Sequence, residues 1–241
     1  MNHFELISFA TADELARTVA GQWLDEIESA KRAGKRHCVA LSGGRIAQKF
    51  FASVVEQAKA RAVSFETVHF FWADERCVPP DDTESNFRLA NELLFAPLKI
   101  SESQIHRIRG ELPPETAAAQ AAAELRRFAS SNANGQPVLD LIFLGMGEDG
   151  HVASLFPDEM EIAGSDKAVY RAVNNSPKPP PNRITIGYSA IAAARQVWVL
   201  ISGAGKEVAL RESLYGGGCT PLGRVTKFRT QTTIFSDFLT I

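Results

Sequence analysis

The residues best suited to chemistry in this chain lie in GMGEDGHVASLFP, residues 145–157. Glu148, Asp149 and His151 fall within four positions, and Gly145, Gly147 and Gly150 are interleaved with them. An imidazole takes and gives protons near neutral pH, which suits it to general-base work. A carboxylate beside it, Asp149 or Glu148, would fix its tautomer and raise its basicity. The glycines allow an unusual backbone and leave room for a ligand. A lone histidine is usually structural, but one in a Gly-Asp-Gly-His loop after a buried strand reads as a base.

Three further segments are chemically loaded. In LSGGR (41–45), Ser42, Gly43, Gly44 and Arg45 stand between an expected strand and an expected helix. Backbone N–H groups there can approach an anion, and a helix N-terminus favours negative charge. In WADERCVPPDDTESN (72–86), Asp74, Glu75 and Arg76 taken alone read as a local ion-pair patch. Arg76 gains interest because a guanidinium presents a donor fork to phosphate or to a developing oxyanion. The last segment comprises SPKPPPNRIT (176–185) and SGAGKE (202–207), which place Lys178, Arg183 and Lys206 beside rigid or glycine-rich loops. Lys206 is the strongest of these, since it follows Gly-Ala-Gly at a strand-to-helix turn.

The elements that must position these residues follow from periodicity. HFELISF (3–9), CVAL (38–41), TVHFFWA (67–73), LDLIFLG (139–145), residues 183–186 and VWVLIS (197–202) read as strands. LDLIFLG is continuously apolar, as a central parallel strand covered on both faces should be. Helices are expected after Thr11, where Glu14 completes a capping box and Leu15, Val19, Trp23 and Ile27 recur at helical spacing. Others are expected over 46–60, over 85–95 with Ser85 or Asn86 as cap, over 115–129, after 186 and from about 204. The tail from Val225 to Ile241 reads as extended. This alternation predicts an α/β fold, a single domain over 1–241, with a parallel or mixed sheet flanked by helices. Ligands in such sheets sit beyond the carboxyl ends of the strands, where all four segments fall.

Composition narrows the function classes. The chain has 241 residues, 45% of them hydrophobic, enough for a large core. A net charge of -2 gives no basic field for nucleic acid, so an anionic ligand needs a local cluster of Arg and Lys. Cys38, Cys77 and Cys219 are widely spaced, which argues against a disulfide framework or a zinc site. No secretory signal and no apolar stretch of membrane-crossing length is seen, so the cytoplasm is the expected compartment.

Taken together, LSGG, WADERCVPPDDTESN, LDLIFLGMGEDGHVASLFP, SPKPPPNRIT and SGAGKE resemble the 6-phosphogluconolactonase family, in the family's order and across 41–207. The wider group includes glucosamine-6-phosphate deaminases and shares a Rossmann-like fold. The resemblance implies hydrolysis of 6-phosphoglucono-δ-lactone, a small sugar phosphate, in the oxidative pentose phosphate pathway, with no metal or organic cofactor. It implies His151 as base, Arg76 as a substrate contact, and Ser42, Gly43, Gly44 and Lys206 as phosphate ligands, with Arg183 a further candidate. Asp149 is expected to orient the base. The family's first loop usually reads Gly-Gly-Ser-Thr-Pro, whereas this chain has Gly43-Gly44-Arg45-Ile46-Ala47. Arg45 either replaces the lost hydroxyls with charge, or phosphate affinity is weaker, or the substrate is altered. Two other readings are an amino-sugar-phosphate deaminase or isomerase using the same His and Asp, and a non-catalytic sugar-phosphate sensor. Against the deaminase stand Asp74-Glu75-Arg76 and SPKPPPNRIT; against the sensor stands the lack of a basic stripe. Oligomeric state is left open.

Overall fold

A computed structural model describes residues 4–157, 167–217 and 220–238. In chain order the elements begin with β1 (Phe4–Ser8), α1 (Ala12–Arg32), β2 (His37–Leu41), α2 (Arg45–Arg61), β3 (Val68–Trp72) and β4 (Asp74–Arg76). Next come α3 (Asn86–Ala90), a π-helical turn Asn91–Phe95, α4 (Ala96–Leu98), a 3-10 turn Glu102–Gln104 and α5 (Pro114–Phe128). The chain continues with β5 (Ser130–Ser131), β6 (Pro137–Val138), β7 (Leu141–Gly145), β8 (Tyr170–Val173), β9 (Arg183–Ile186) and α6 (Tyr188–Ala193). It closes with β10 (Gln196–Ile201), α7 (Glu207–Tyr215), α8 (Pro221–Phe228) and β11 (Thr232–Ser236).

Six strands form one sheet in the order β1-β11-β10-β7-β2-β3, and every neighbouring pair runs parallel. The apolar run predicted for the sheet centre is β7, whose Leu141–Leu144 are buried. Asp140, just before it, accepts from the Cys38 N–H at 2.8 Å and so ties the starts of β7 and β2 together. From β2 the chain crosses to β3 on one side, and from β7 to β10 on the other. The gap between β2 and β7 is therefore the switch point at which an open α/β sheet presents its crevice.

α1 starts as its sequence signature requires. Thr11 Oγ1 accepts from the Glu14 N–H at 3.1 Å, and Glu14 accepts from the Ala10 N–H at 3.1 Å. Its buried stripe includes Leu15, Val19, Trp23 and Ile27. The Trp23 ring packs with Phe50, Phe65, Phe70 and Phe143, and its Nε1 donates to His37 Nε2 at 3.2 Å, so both the apolar body and the polar edge of this large core side chain are satisfied.

Several expectations need correction. A second sheet, β4-β9-β8, is antiparallel. Of its strands only β9 was expected. The extended tail is interrupted at its start, because Val225–Phe228 belong to α8. That helix is launched upstream, by Thr220 Oγ1 accepting from the Gly223 N–H and by Pro221 in the first turn. α7 begins at Glu207 rather than near 204, since Gly203 to Gly205 form a turn. Asp74 and Glu75 are no surface ion-pair patch, being buried and hydrogen-bonded. Cys38 and Cys77 are free thiols, while Cys219 and residues 239–241 of the tail lie outside the described residues. Among the described residues no helix is long and apolar enough to cross a membrane.

Candidate active site

A cleft of about 140 Å³ opens over the ends of β2 and β7. It is lined by Ser42, Gly43, Gly44 and Arg45 from the β2 turn, by Gly145, Gly147 and His151 from the β7 turn, and by Lys206 beyond β10. Asp74, Arg76 and Arg183 reach it from the small antiparallel sheet, and Asn86 reaches it from α3. Eight of the nine residues expected to act as catalytic or binding groups thus line one cleft, and the ninth, Asp149, contacts it through His151. Glu148 and Lys178, also singled out, are not among the lining residues.

The β7 turn folds back on itself, with the Gly147 N–H donating to the His151 carbonyl at 2.9 Å and the Gly150 N–H to the Gly147 carbonyl at 3.1 Å. The imidazole lies so close to Gly147 that a Cβ there would sit 2.1 Å from Nδ1 and Cε1. Only glycine leaves the ring in place. His151 Nδ1 lies 2.5 Å from Asp149 Oδ1, and the ring packs against Phe156. Asp149, rather than Glu148, is therefore the carboxylate on the imidazole.

Burial lowers the His151 pKa below its ordinary 6.5; Asp149 and Asp74 oppose this, and Lys178 adds to it. Burial alone would raise Asp149, but the hydrogen bond and charge of His151, with Lys178 Nζ at 3.8 Å, bring it below its ordinary value. The pair is therefore a neutral imidazole beside a carboxylate. An ionised carboxylate only accepts, so Nδ1 carries the proton and Nε2 keeps its lone pair. Among the described residues Nε2 has no hydrogen-bond partner.

The other side of the cleft is cationic. α2 begins at Arg45 behind Gly44, with no side-chain cap and no acidic residue in its first turn, so its leading N–H groups and dipole face the cleft without a protein anion. The side chains of Arg45 and Lys206 form no hydrogen bond among the described residues. Burial lowers the Lys206 pKa, and Arg45 nearby lowers it further. Arg76 and Arg183 are paired directly across β4 and β9, a like-charge pairing that an anion between them would relieve.

Two sequence candidates are engaged in scaffolding. Ser42 Oγ donates to the Phe143 carbonyl at 2.8 Å, tying the β2 turn to β7. Arg183 donates through Nε to the Pro180 carbonyl and through Nη2 to the carbonyls of Lys178 and Pro179, and its Nη1 reaches Ser154 Oγ at 3.4 Å. It therefore braces the proline loop that carries Lys178. Sequence reasoning read Asp74 as part of an ion-pair patch and Asn86 as a candidate helix cap, gave Ser154 no role, and placed none of the three in the cleft. Asp74 accepts from Ser154 Oγ at 2.7 Å and from Asn86 Nδ2 at 3.2 Å, and Asn86 Oδ1 lies where a Cβ on Gly43 would be, at 2.0 Å. The one signal for this cluster was a group of charges directly after an aromatic strand, which must be paired or face water.

The chain is similar to known proteins over most of its length. The family model described as glucosamine-6-phosphate isomerases/6-phosphogluconolactonase matches residues 10–234. A 6-phosphogluconolactonase of Mycobacterium tuberculosis is 36% identical over 221 residues, covering 89% of this chain and 86% of that protein. One of Treponema pallidum is 33% identical over 194 residues, covering 80% and 79%. The crystal structure of the Thermotoga maritima 6-phosphogluconolactonase superposes with a TM-score of 0.77 at 30% identity, covering 97% of this chain and 98% of that one. The chain belongs to the glucosamine-6-phosphate isomerase/6-phosphogluconolactonase family.

Proposed function

We propose that this chain hydrolyses 6-phospho-D-glucono-1,5-lactone to 6-phosphogluconate, with His151 as the base that activates water. The observation that carries this reading is a neutral imidazole, held through Nδ1 by Asp149, in one cleft with the uncapped start of α2 and the side chains of Arg45 and Lys206. Nε2 takes a proton from water as the water oxygen attacks the C1 carbonyl. Asp149 stabilises the imidazolium that forms. The carbonyl oxygen becomes an oxyanion, for which Arg76 and turn N–H groups supply donors. Collapse of the tetrahedral species breaks the bond from C1 to the ring oxygen, and the imidazolium returns its proton to that leaving oxygen. Gly43, Gly44, Arg45 and Lys206 hold the phosphate, which fixes the lactone for attack, while Ser42 and Arg183 brace the surrounding loops. Such chemistry needs no metal or organic cofactor. It belongs to the oxidative pentose phosphate pathway, and the cytoplasm is its proposed setting.

The test compares wild type with His151→Ala on freshly generated lactone, subtracting the spontaneous opening rate. Loss of the base should lower turnover by about 10²–10⁴-fold with the fold retained. Near-wild-type turnover in the variant would remove the assignment, and ammonia release from glucosamine 6-phosphate without lactone opening would favour a deaminase.

A further inference from the structure

Glu75 is buried, 2% exposed, and touches neither the cleft nor His151. Its carboxylate nevertheless gathers four donors from the two ends of one loop. Oε1 accepts from the Arg76 N–H and the Asn86 N–H, both at 2.8 Å, and Oε2 accepts from the Phe87 N–H at 2.8 Å and from Ser85 Oγ at 3.1 Å. Arg76 leaves β4 into this loop and Asn86 opens α3 at its far end. The Arg76 guanidinium donates to the Glu84 carbonyl at 2.6 Å, two residues before Asn86, so the side chain is referred to the same clasp as its backbone. Asn86 in turn donates to Asp74 and abuts Gly43.

We propose that Glu75 is a positioning residue that closes the 76–86 loop and thereby sets Arg76 and Asn86 in the cleft. This rests on the lactonase reading for its functional consequence, though not for its geometry. A neutral side chain cannot replace it: a glutamine has one acceptor oxygen, and its NH₂ would face N–H donors on the other side. Burial pushes the carboxyl up to about 6 against the pull of its three backbone N–H partners, so the acceptor form prevails near neutral pH. Keeping a buried charge here costs stability, which suits a group retained for placement rather than for packing.

Amide hydrogen exchange and lactone kinetics on Glu75→Gln test this together. Exchange should accelerate at Arg76, Asn86 and Phe87 while the amides of β2 and β7 keep their protection. Turnover should fall on the order of 10²-fold, as a misplacement of about 1 Å can cause. In an Arg76→Ala background the same substitution should cost clearly less than it does in the wild type, because part of its effect runs through Arg76 and the rest through Asn86. Unchanged exchange at those three amides, or kinetic costs that simply multiply, would overturn the proposal. Should Glu75→Gln not fold, Glu75→Asp, which keeps the charge but draws the carboxylate back from its donors, is judged by the same readouts. A wild type that opens the lactone no faster than buffer defeats the lactonase reading instead, and the exchange result then decides on the clasp by itself.

Discussion

Replacing Asp149 by Asn removes a charge while leaving an oxygen able to accept from His151 Nδ1. The loss is felt when the imidazole becomes positive in the transition state. Two unit charges about 4 Å apart attract by about 1 kcal/mol in water and about 4 kcal/mol at an effective dielectric constant of 20. The Asp149 side chain is 34% exposed, so solvent screening favours the lower half of that range. About 1–2 kcal/mol of lost stabilisation corresponds to roughly 5- to 30-fold in kcat. Asp149→Ala also loses the bond that orients the ring, and the fall should reach on the order of 10²-fold or more. The assay follows acid release from fresh lactone across a pH series, with the buffer rate subtracted. The base is active when neutral, so wild-type activity should fall as pH drops through a limb below the ordinary 6.5 of histidine. Asp149 opposes the effect of burial on that ring, so its removal should move the limb to still lower pH and lower the plateau. A variant with the wild-type plateau and an unmoved limb would refute the coupling.

Lys206→Ala and Arg45→Ala should each raise KM several-fold with little change in kcat, because in the proposed function both line the cleft as holders of the substrate phosphate; steady-state kinetics showing a pure kcat defect would contradict that. Gly147→Ala should lower turnover by roughly 10²-fold, since the added Cβ would sit 2.1 Å from the imidazole and 2.7 Å from Asp149 Oδ1. Circular dichroism should show the sheet retained, and wild-type rates in that variant would mean the ring is not held where the turn places it.

Much of the parallel sheet was legible because each of its strands announces itself locally. β2, β3, β7 and β10 are apolar runs ended by glycine or charge, and α1 declares its start through Thr11 and Glu14. The site was legible for a related reason, since its glycines sit directly after those strands. What escaped is long-range. β4 has three residues and pairs with β9 more than a hundred positions away, so no local period encodes it. The same pairing buries Asp74 and Glu75 and turns an apparent surface patch into a scaffold. Ser154 joins Asp74 across 80 residues, and Lys178 reaches Asp149 from the proline loop. Arg183 stood out as a cation, but nothing in the sequence marked the carbonyls of its own loop as its partners.

The bare start of α2 ties recognition to robustness. With glycine as its N-cap, α2 forgoes a few tenths of a kcal/mol relative to a capping side chain, and the missing acceptor is the kind a bound phosphate would provide. Occupancy then finishes a structural element as well as presenting a lactone, and the protein should melt later when saturated with its product.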